Sequence, residues 1–329
     1  MKYKVFITGG AGFLGSHIIN ALDNEIFELK ILIHKSNFLE KTKKNKIQIV
    51  KGDLKDINLF ENEFKNFDYI IHNANLTDPT YQSFKLNTEI DTKIFQSALR
   101  MNVKNFIYTS SRATLGIDKQ NIFNSNEKSQ NFENFQTMDY YMKSKLSSEK
   151  KMLEIFNQKN IKSFIICPTA LLGPNDKKPT PIGSLFKSII NNKTKFYING
   201  YFNIIDVRAA ADFYKNLIIY QIPHGKYGLG AHNVSLSQLI SLIKKNKQNL
   251  QKVYQIPVFY VSVIKFLLNV FSFLFKKYHF LTPEKIDRLQ KGYSCFKSIK
   301  INSKRDFIDI NINDTIKDII KEFSKYEKY

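Results

Sequence analysis

The chain has 329 residues, 43% of them hydrophobic and 24% charged, enough for one large domain or two modest ones with a proper core. The formal net charge of +21 raises nucleic acid or an anionic membrane as partners. Among the 50 basic residues only Arg100, Arg112, Arg208, Arg288 and Arg305 are arginine. Base readout and bidentate phosphate contacts favour arginine, so the scattered lysines read as a solvated surface and nucleic acid is set aside.

Along the chain, Lys4–Thr8 reads as a short buried strand, followed by a glycine turn and an apolar helix at Phe13–Leu22. Further strands are expected at Leu29–Ile33, Ile47–Val50, Asp68–His72 and Asn105–Ser110, with a long amphipathic run at Tyr81–Met101. Tyr140–Phe156 reads as a helix and Ser163–Cys167 as a sixth strand ending at Pro168. Strands alternating with helices predict an α/β fold with a parallel sheet covered on both faces. Beyond residue 168 proline and glycine cluster in "CPTALLGPNDKKPTPIG" and the pattern loosens. Residues 1–168 are therefore expected to form a nucleotide-binding domain. Residues 169–329 are expected to form mainly a smaller substrate-facing lobe, with some segments returning to the first domain.

Pro257–Phe275, "PVFYVSVIKFLLNVFSFLF", is nearly long enough to span a bilayer. Lys265 and Asn269 interrupt it, and Lys276 and Lys277 follow it. Two readings stand: a partly buried helix of the lobe, or a face that rests weakly on a membrane surface. Cys167 and Cys295 stand in unrelated contexts and the six histidines show no ligand spacing, which argues against a disulfide framework or a metal site. The apolar N-terminal stretch is broken by glycines where a signal core would be continuous. The expected compartment is the cytoplasm, with peripheral membrane contact as an option.

"TGGAGFLGSH", Thr8–His17, carries the strongest chemical signal. Gly9, Gly12 and Gly15 follow a strand and open a helix, with Phe13 and Leu14 in its first turn. Gly9 allows the tight turn, Gly12 lets backbone approach a pyrophosphate, and Gly15 lets helix and strand pack closely. The helix N-terminus then faces the phosphates with free N–H groups. A second signal is "DYYMKSK" at 139–145. On a helix Tyr141 and Lys145 share a face, one turn apart, whereas Tyr140 points elsewhere.

The glycine spacing together with "GDL" at 52–54, "FIYTSS" at 106–111, "YMKSK" at 141–145 and "CPTALLGP" at 167–174 resembles the extended branch of the short-chain dehydrogenase/reductase superfamily. Within that branch the chain is most similar to dihydroflavonol-reductase-like proteins and hopanoid-associated sugar epimerases. The resemblance covers roughly the first 235 residues and implies a Rossmann-type doubly wound parallel sheet. It implies that Tyr141 is the general acid/base, that Lys145 lowers its pKa and binds the nicotinamide ribose, and that Ser111 holds the substrate oxygen. Asn87 would support the site. Asp53 and Leu54 would lie by the adenine. Asn73, Ala74 and Pro168 would complete the cofactor site. Thr169, Asn175, Phe202 and Arg208 would face the substrate, which is a small molecule. A homodimer is the expected assembly.

The second strand ends in "ILIHKSN", with His34 and Lys35 where NAD sites place an acidic residue. A basic, hydrogen-bonding end suits a 2′-phosphate, so NADP(H) is the expected cofactor, with NAD as the alternative. Arg112 and Ala113 follow Ser111 where the family's dehydratases carry an acidic pair, so dehydration is set aside. Three readings are left: a reductase or dehydrogenase, a sugar epimerase, and an inactive cofactor-binding scaffold. One position bears on the choice. Family members acting on nucleotide sugars carry an arginine at the position of Phe202, and an aromatic there fits an apolar or ring-shaped substrate.

Overall fold

The computed structural model describes residues 2–34, 47–76, 80–129, 139–159, 161–275, 283–301 and 307–326. The first half alternates strand and helix: β1 (Tyr3–Thr8), α1 (Phe13–Ala21), β2 (Phe27–Ile33), β3 (Gln48–Lys51), β4 (Tyr69–His72), α2 (Tyr81–Arg100), β5 (Asn105–Thr109), α3 (Tyr140–Phe156) and β6 (Lys162–Pro168). There follow β7 (Ala170–Leu172), α4 (Pro181–Ile190), β8 (Phe196–Tyr197), β9 (Tyr201–Asp206), α5 (Val207–Ile219), β10 (Gly225–Leu229), β11 (His232–Ser235), α6 (Leu236–Asn246), β12 (Tyr254–Gln255), α7 (Val258–Phe275), α8 (Pro283–Gln290) and α9 (Ile312–Tyr326).

Seven strands form one sheet in the order β3-β2-β1-β4-β5-β6-β10, and every pairing in it is parallel. The inner strands are apolar on both faces, as a parallel sheet covered by helices requires: Phe6, Ile7, Ile70, Ile71, Phe106 and Ile107 have no exposed surface. On one face α1 and α5 pack over β1, β2, β4 and β5 through Ile18, Leu22, Phe213 and Leu217. On the other, Ile94, Phe95, Met152 and Phe156 from α2 and α3 pack with Phe6, Ile70 and Phe106. This is the doubly wound α/β fold that the sequence predicts. The seventh strand and α5 come from beyond residue 168, so the later half of the chain re-enters the sheet.

A second core unites α4, α6 and α9 with the small sheet β7-β9-β11 through Phe186, Leu239, Ile243 and Ile316. β8 and β12 form a two-stranded ribbon beside it.

The sheet order reverses at β1, between β2 and β4, and the crevice beyond these strand ends is where open α/β sheets bind ligands. Gly9 takes φ +70° there, and a Cβ on it would lie 2.5 Å from the Ala74 nitrogen. A Cβ on Gly15 would run into the Gly9 carbonyl, whereas one on Gly12 would meet only the Gly9 oxygen at 3.2 Å. The structure thus needs Gly9 and Gly15 for packing and leaves the space over Gly12 open. Gly15→Ala is expected to cost roughly 3 kcal/mol, the upper range for overpacking, and Gly12→Ala less than about 1 kcal/mol. Urea unfolding of the two variants checks the order; equal losses would show that the loop relaxes around the added methyl.

Candidate active site

The start of α3 is fixed by its own sequence. The Asp139 carboxylate accepts from the Met142 backbone N–H at 2.8 Å and caps the helix. That places Tyr141 and Lys145 in the first two turns, toward the end of β5. Ser111 lies just past β5, and its hydroxyl is close enough to the Tyr141 phenol to work against the rise in its pKa. Ser110 turns the other way, onto Glu149, which also accepts from Thr114 Oγ1 at 2.6 Å and from Lys226 Nζ at 2.6 Å. Of the two adjacent serines only Ser111 reaches Tyr141. Tyr140 stacks instead on Tyr81, with ring centroids 5.6 Å apart, and on Phe84 at 6.1 Å.

The Lys145 ammonium is not among the groups that set the Tyr141 pKa here. Burial, the larger effect, pushes the phenol above its ordinary value despite the nearby Ser111 hydroxyl. Lys145 Nζ instead donates to the Thr109 carbonyl at 2.7 Å and sits 4.7 Å from the centre of the Tyr108 ring. Burial lowers the lysine's own pKa, and the Asp91 and Glu149 carboxylates work against that shift.

Behind Lys145 runs a buried polar chain that the sequence reading does not contain. Thr8 Oγ1 and His72 Nδ1 are 2.6 Å apart, and His72 Nε2 is 2.8 Å from Asp91 Oδ1. Tyr108 donates to Asp91 Oδ2 at 2.7 Å, and Lys145 Nζ lies 3.4 Å from the Tyr108 oxygen. All five residues are buried. Burial opposes charge on Asp91, but the hydrogen bond and charge of His72 and the charge of Lys145 outweigh it and hold the carboxyl below its usual range. The available signals were His72 closing an apolar strand and Asp91 one helical turn after Asn87.

Around the glycine turn, α1 begins at Gly12 with no side chain capping it, so its first N–H groups are open to a ligand. Phe13 is partly buried and Leu14 is buried under the turn. Asn73 takes its backbone N–H to the Thr8 carbonyl at 3.2 Å, and the Ala74 N–H reaches Thr8 Oγ1 at 3.4 Å. Asn87 holds the same loop: its amide nitrogen donates to the Leu76 carbonyl at 2.8 Å and its oxygen accepts from the Leu76 N–H at 2.9 Å. At the end of β2, His34 Nε2 is 3.4 Å from the Asp53 carboxylate. Asp53 caps the short turn that begins at Leu54, accepting from Lys55 N at 3.0 Å. Lys35 lies outside the described residues. An open glycine-lined helix start beside a buried polar wall fits the pyrophosphate and ribose of a dinucleotide.

A cavity of about 250 Å³ opens beside Ser111. Pro168, Thr169 and Phe202 line it, and the Thr169 hydroxyl is buried without a partner among the described residues. Asn175 and Arg208 are not brought to it. The Asn175 backbone bonds Glu322 on α9, and Arg208 is held by Asp206 at 2.8 Å and Asp318 at 2.6 Å. That double pairing holds the Arg208 guanidinium in place and pushes its pKa further up. The structure thus ties Arg208 to two carboxylates and does not bring it to this cavity. The cavity's cations come from elsewhere: Arg112, tied to the Leu115 and Cys295 carbonyls at 3.0 Å each, and Arg288 of α8. Arg288 and Tyr293 arrive from more than 140 residues beyond Tyr141, a contact that no local pattern announces.

A doubly wound parallel sheet, an open glycine turn at its switch point and a Ser-Tyr-Lys constellation beside a cavity define a dinucleotide-dependent enzyme fold. The chain belongs to the NAD dependent epimerase/dehydratase family, whose model matches residues 5–201. It is 26% identical over 248 residues to a putative dihydroflavonol 4-reductase of Synechocystis sp., covering 72% of this chain and 70% of that protein. It is 27% identical over 217 residues to the decarboxylating sterol-4-alpha-carboxylate 3-dehydrogenase of Candida albicans, covering 62% of this chain and 60% of that enzyme. A nucleoside-diphosphate-sugar epimerase from Pseudomonas aeruginosa superposes over 100% of both chains with a TM-score of 0.76 at 16% identity, a likeness of fold. The protein is thus an NAD(P)-dependent enzyme of a family whose members include reductases, dehydrogenases and epimerases.

Removing the Asp91 charge takes one of two nearby carboxylates from Lys145 and breaks the buried pair with His72. Asp91→Asn is expected to cost about 3 kcal/mol at neutral pH, as breaking a buried pair does. Because the folded carboxyl titrates below its unfolded value near 4 (about 3.9), its contribution is complete above that pH and fades as pH falls through the folded value. Urea unfolding of both proteins from pH 7 down to about 3 should therefore show the wild-type advantage shrinking toward acid; an advantage that grows instead would contradict the pairing.

Proposed function

We propose that the protein is an NADP(H)-dependent oxidoreductase that reduces a carbonyl, or oxidises a secondary alcohol, on a small or lipid-like substrate. The observation that carries this reading is Ser111, whose hydroxyl acts on the Tyr141 phenol and which lines a cavity walled mainly by apolar side chains such as Leu115, Ile117, Met142 and Phe202. When bound, the nicotinamide supplies or accepts the hydride.

The rest is done by the chain. Tyr141, raised above the ordinary tyrosine range, is protonated at neutral pH and donates to an oxygen that becomes negative as reduction proceeds. Ser111 holds that oxygen in line with the phenol. Lys145, balanced by Asp91, keeps a positive charge beneath the site. The apolar wall at Phe202 suits a hydrocarbon or ring system better than a diphosphate, and the likeness to a protein named as a sterol dehydrogenase supports that class.

Turnover of purified protein with NADPH on a panel of ring and alkyl ketones tests the reading. Tyr141→Phe is expected to lower kcat roughly a hundred- to ten-thousand-fold and to leave cofactor affinity within about twofold. Tyr140→Phe should leave kcat near wild type. Equal losses in the two variants would sink the assignment of Tyr141. The epimerase alternative rests on Arg288 in the cavity wall: tight, saturable binding of UDP-hexoses in a calorimetric titration would promote it.

For the cofactor, the end of β2 offers the His34 imidazole, with the Asp53 carboxylate 3.4 Å from it. NADPH is expected to bind about tenfold more tightly than NADH, as one added charge-assisted hydrogen bond to the 2′-phosphate provides. His34→Asp should narrow or reverse that ratio. Fluorescence titration reads both, and tighter NADH binding by the wild type would rule the preference out.

A further inference from the structure

α7 turns one side to the protein and leaves the other uncovered. Val261 is 2% exposed, and Lys265 on the same side is tied to Asp287 of α8 at 2.7 Å. Phe259, Val263, Phe266 and Leu267 fall on the opposite side, at helical spacing, and are 76%, 45%, 66% and 57% exposed. Isolated exposed apolar residues need no explanation, but a contiguous stripe of large ones marks an interaction surface. The stripe continues past the helix start. Val258 is 70% exposed, and on the adjoining β8–β12 ribbon Phe196 and Tyr254, 64% and 51% exposed, lie ring against ring at 6.1 Å. Lysines fringe this aromatic end. Lys252 sits 5.0 Å over the Tyr254 ring, and Lys193 and Lys195 are exposed. Among the described residues no carboxylate pairs with any of the three.

We infer that this face docks on an anionic bilayer surface. An uncovered apolar helix side, aromatic rings at its end and unpaired lysines around it are the composition of an interfacial anchor. α7 lies on the surface and does not cross: its 18 residues measure about 27 Å, and among the described residues no helix is long and apolar enough to span a membrane. Charge selects the bilayer over a second copy of the chain. A partner copy would bring its own +21 and the same lysines to the contact, setting like charges against each other. Anionic headgroups meet those lysines with opposite charge.

The docking face is also joined to the catalytic cavity. α8 pairs with α7 through Asp287 and, one residue on, lends Arg288 to the cavity wall. Arg288 in turn donates to the Met142 sulfur at 2.8 Å. A substrate dissolved in the lipid would thus meet the protein at the helix that borders the cavity. This loading role rests on the lipid-like substrate reading; the docking itself does not.

Co-sedimentation of the full chain with phosphatidylcholine vesicles carrying about one-third phosphatidylglycerol tests the docking. The protein should pellet at low salt and bind at least tenfold more weakly at about 0.5 M salt or to phosphatidylcholine alone, because screening removes the lysine attraction. Phe259→Ser/Phe266→Ser/Leu267→Ser, all on an exposed face, should abolish pelleting while NADPH binding and the melting temperature stay near wild type. Lys193→Glu/Lys195→Glu/Lys252→Glu should remove the salt-sensitive part. The inference is overturned if folded wild type fails to pellet at low salt or if the serine variant pellets equally. It is also overturned if the face proves to hold a dimer that the serine variant dissolves, with no vesicle binding. Tyr141→Phe is expected to pellet like wild type, so the docking and the chemical reading can fail separately.

Discussion

A buried ammonium needs a counter-charge, and most of this site is arranged around that need. Lys145 is 3% exposed, and in so dry a place an unpaired charge would neutralise itself or unfold the protein. Asp91 supplies the opposite charge from α2, across the Tyr108 hydroxyl, and His72 from β4 fills its other oxygen. The carboxylate thereby ties two strands and two helices together at one point. Thr8, at the end of the first strand, closes the chain against the glycine turn. The glycine turn and α3 are consequently held by the same buried hydrogen-bonded line, which is strengthened because water is excluded from it.

That arrangement decides how the phenol is tuned. With Lys145 drawn toward the Thr109 carbonyl, Tyr141 has Ser111 as the neighbour that favours its ionised form, and its pKa rises with burial. A phenol so placed holds its proton at neutral pH, which favours donation to a carbonyl oxygen over removal of a proton from an alcohol. Glu149 plays a parallel part on the other side of α3. It gathers Ser110, Thr114 and Lys226, so the serine that might compete for the phenol is occupied elsewhere.

The cavity is finished by chain that lies far away in sequence. Arg112 spends its guanidinium on the carbonyls of Leu115 and Cys295 and stacks 5.2 Å from the Phe296 ring. Phe296 is itself 1% exposed and packs into the core under α2 and α3. The C-terminal segment is thus pinned to the Rossmann half, and Arg288 and Tyr293 come to rest across from Ser111. Arg112 and Ala113 follow Ser111 directly in sequence. In this chain that position serves to close the lobe.

The sequence by itself determined the parts that depend on local stereochemistry. The glycine turn was legible because only glycine tolerates φ +70° with backbone 2.5 Å from its missing Cβ. The Tyr141–Lys145 spacing was legible because one helical turn fixes which side chains share a face, and six of the seven sheet strands were legible as short apolar runs, which a sheet covered on both faces requires. Tertiary structure decided what depends on partners distant along the chain. It sent Lys145 toward Asp91, because a buried charge seeks its counter-ion and not its sequence neighbour. It withdrew Arg208 into two carboxylates, and it brought β10, Arg288 and Tyr293 back to the first half. None of these has a local signature, since the energy of a buried charge or a packed ring depends on what the folded chain sets beside it.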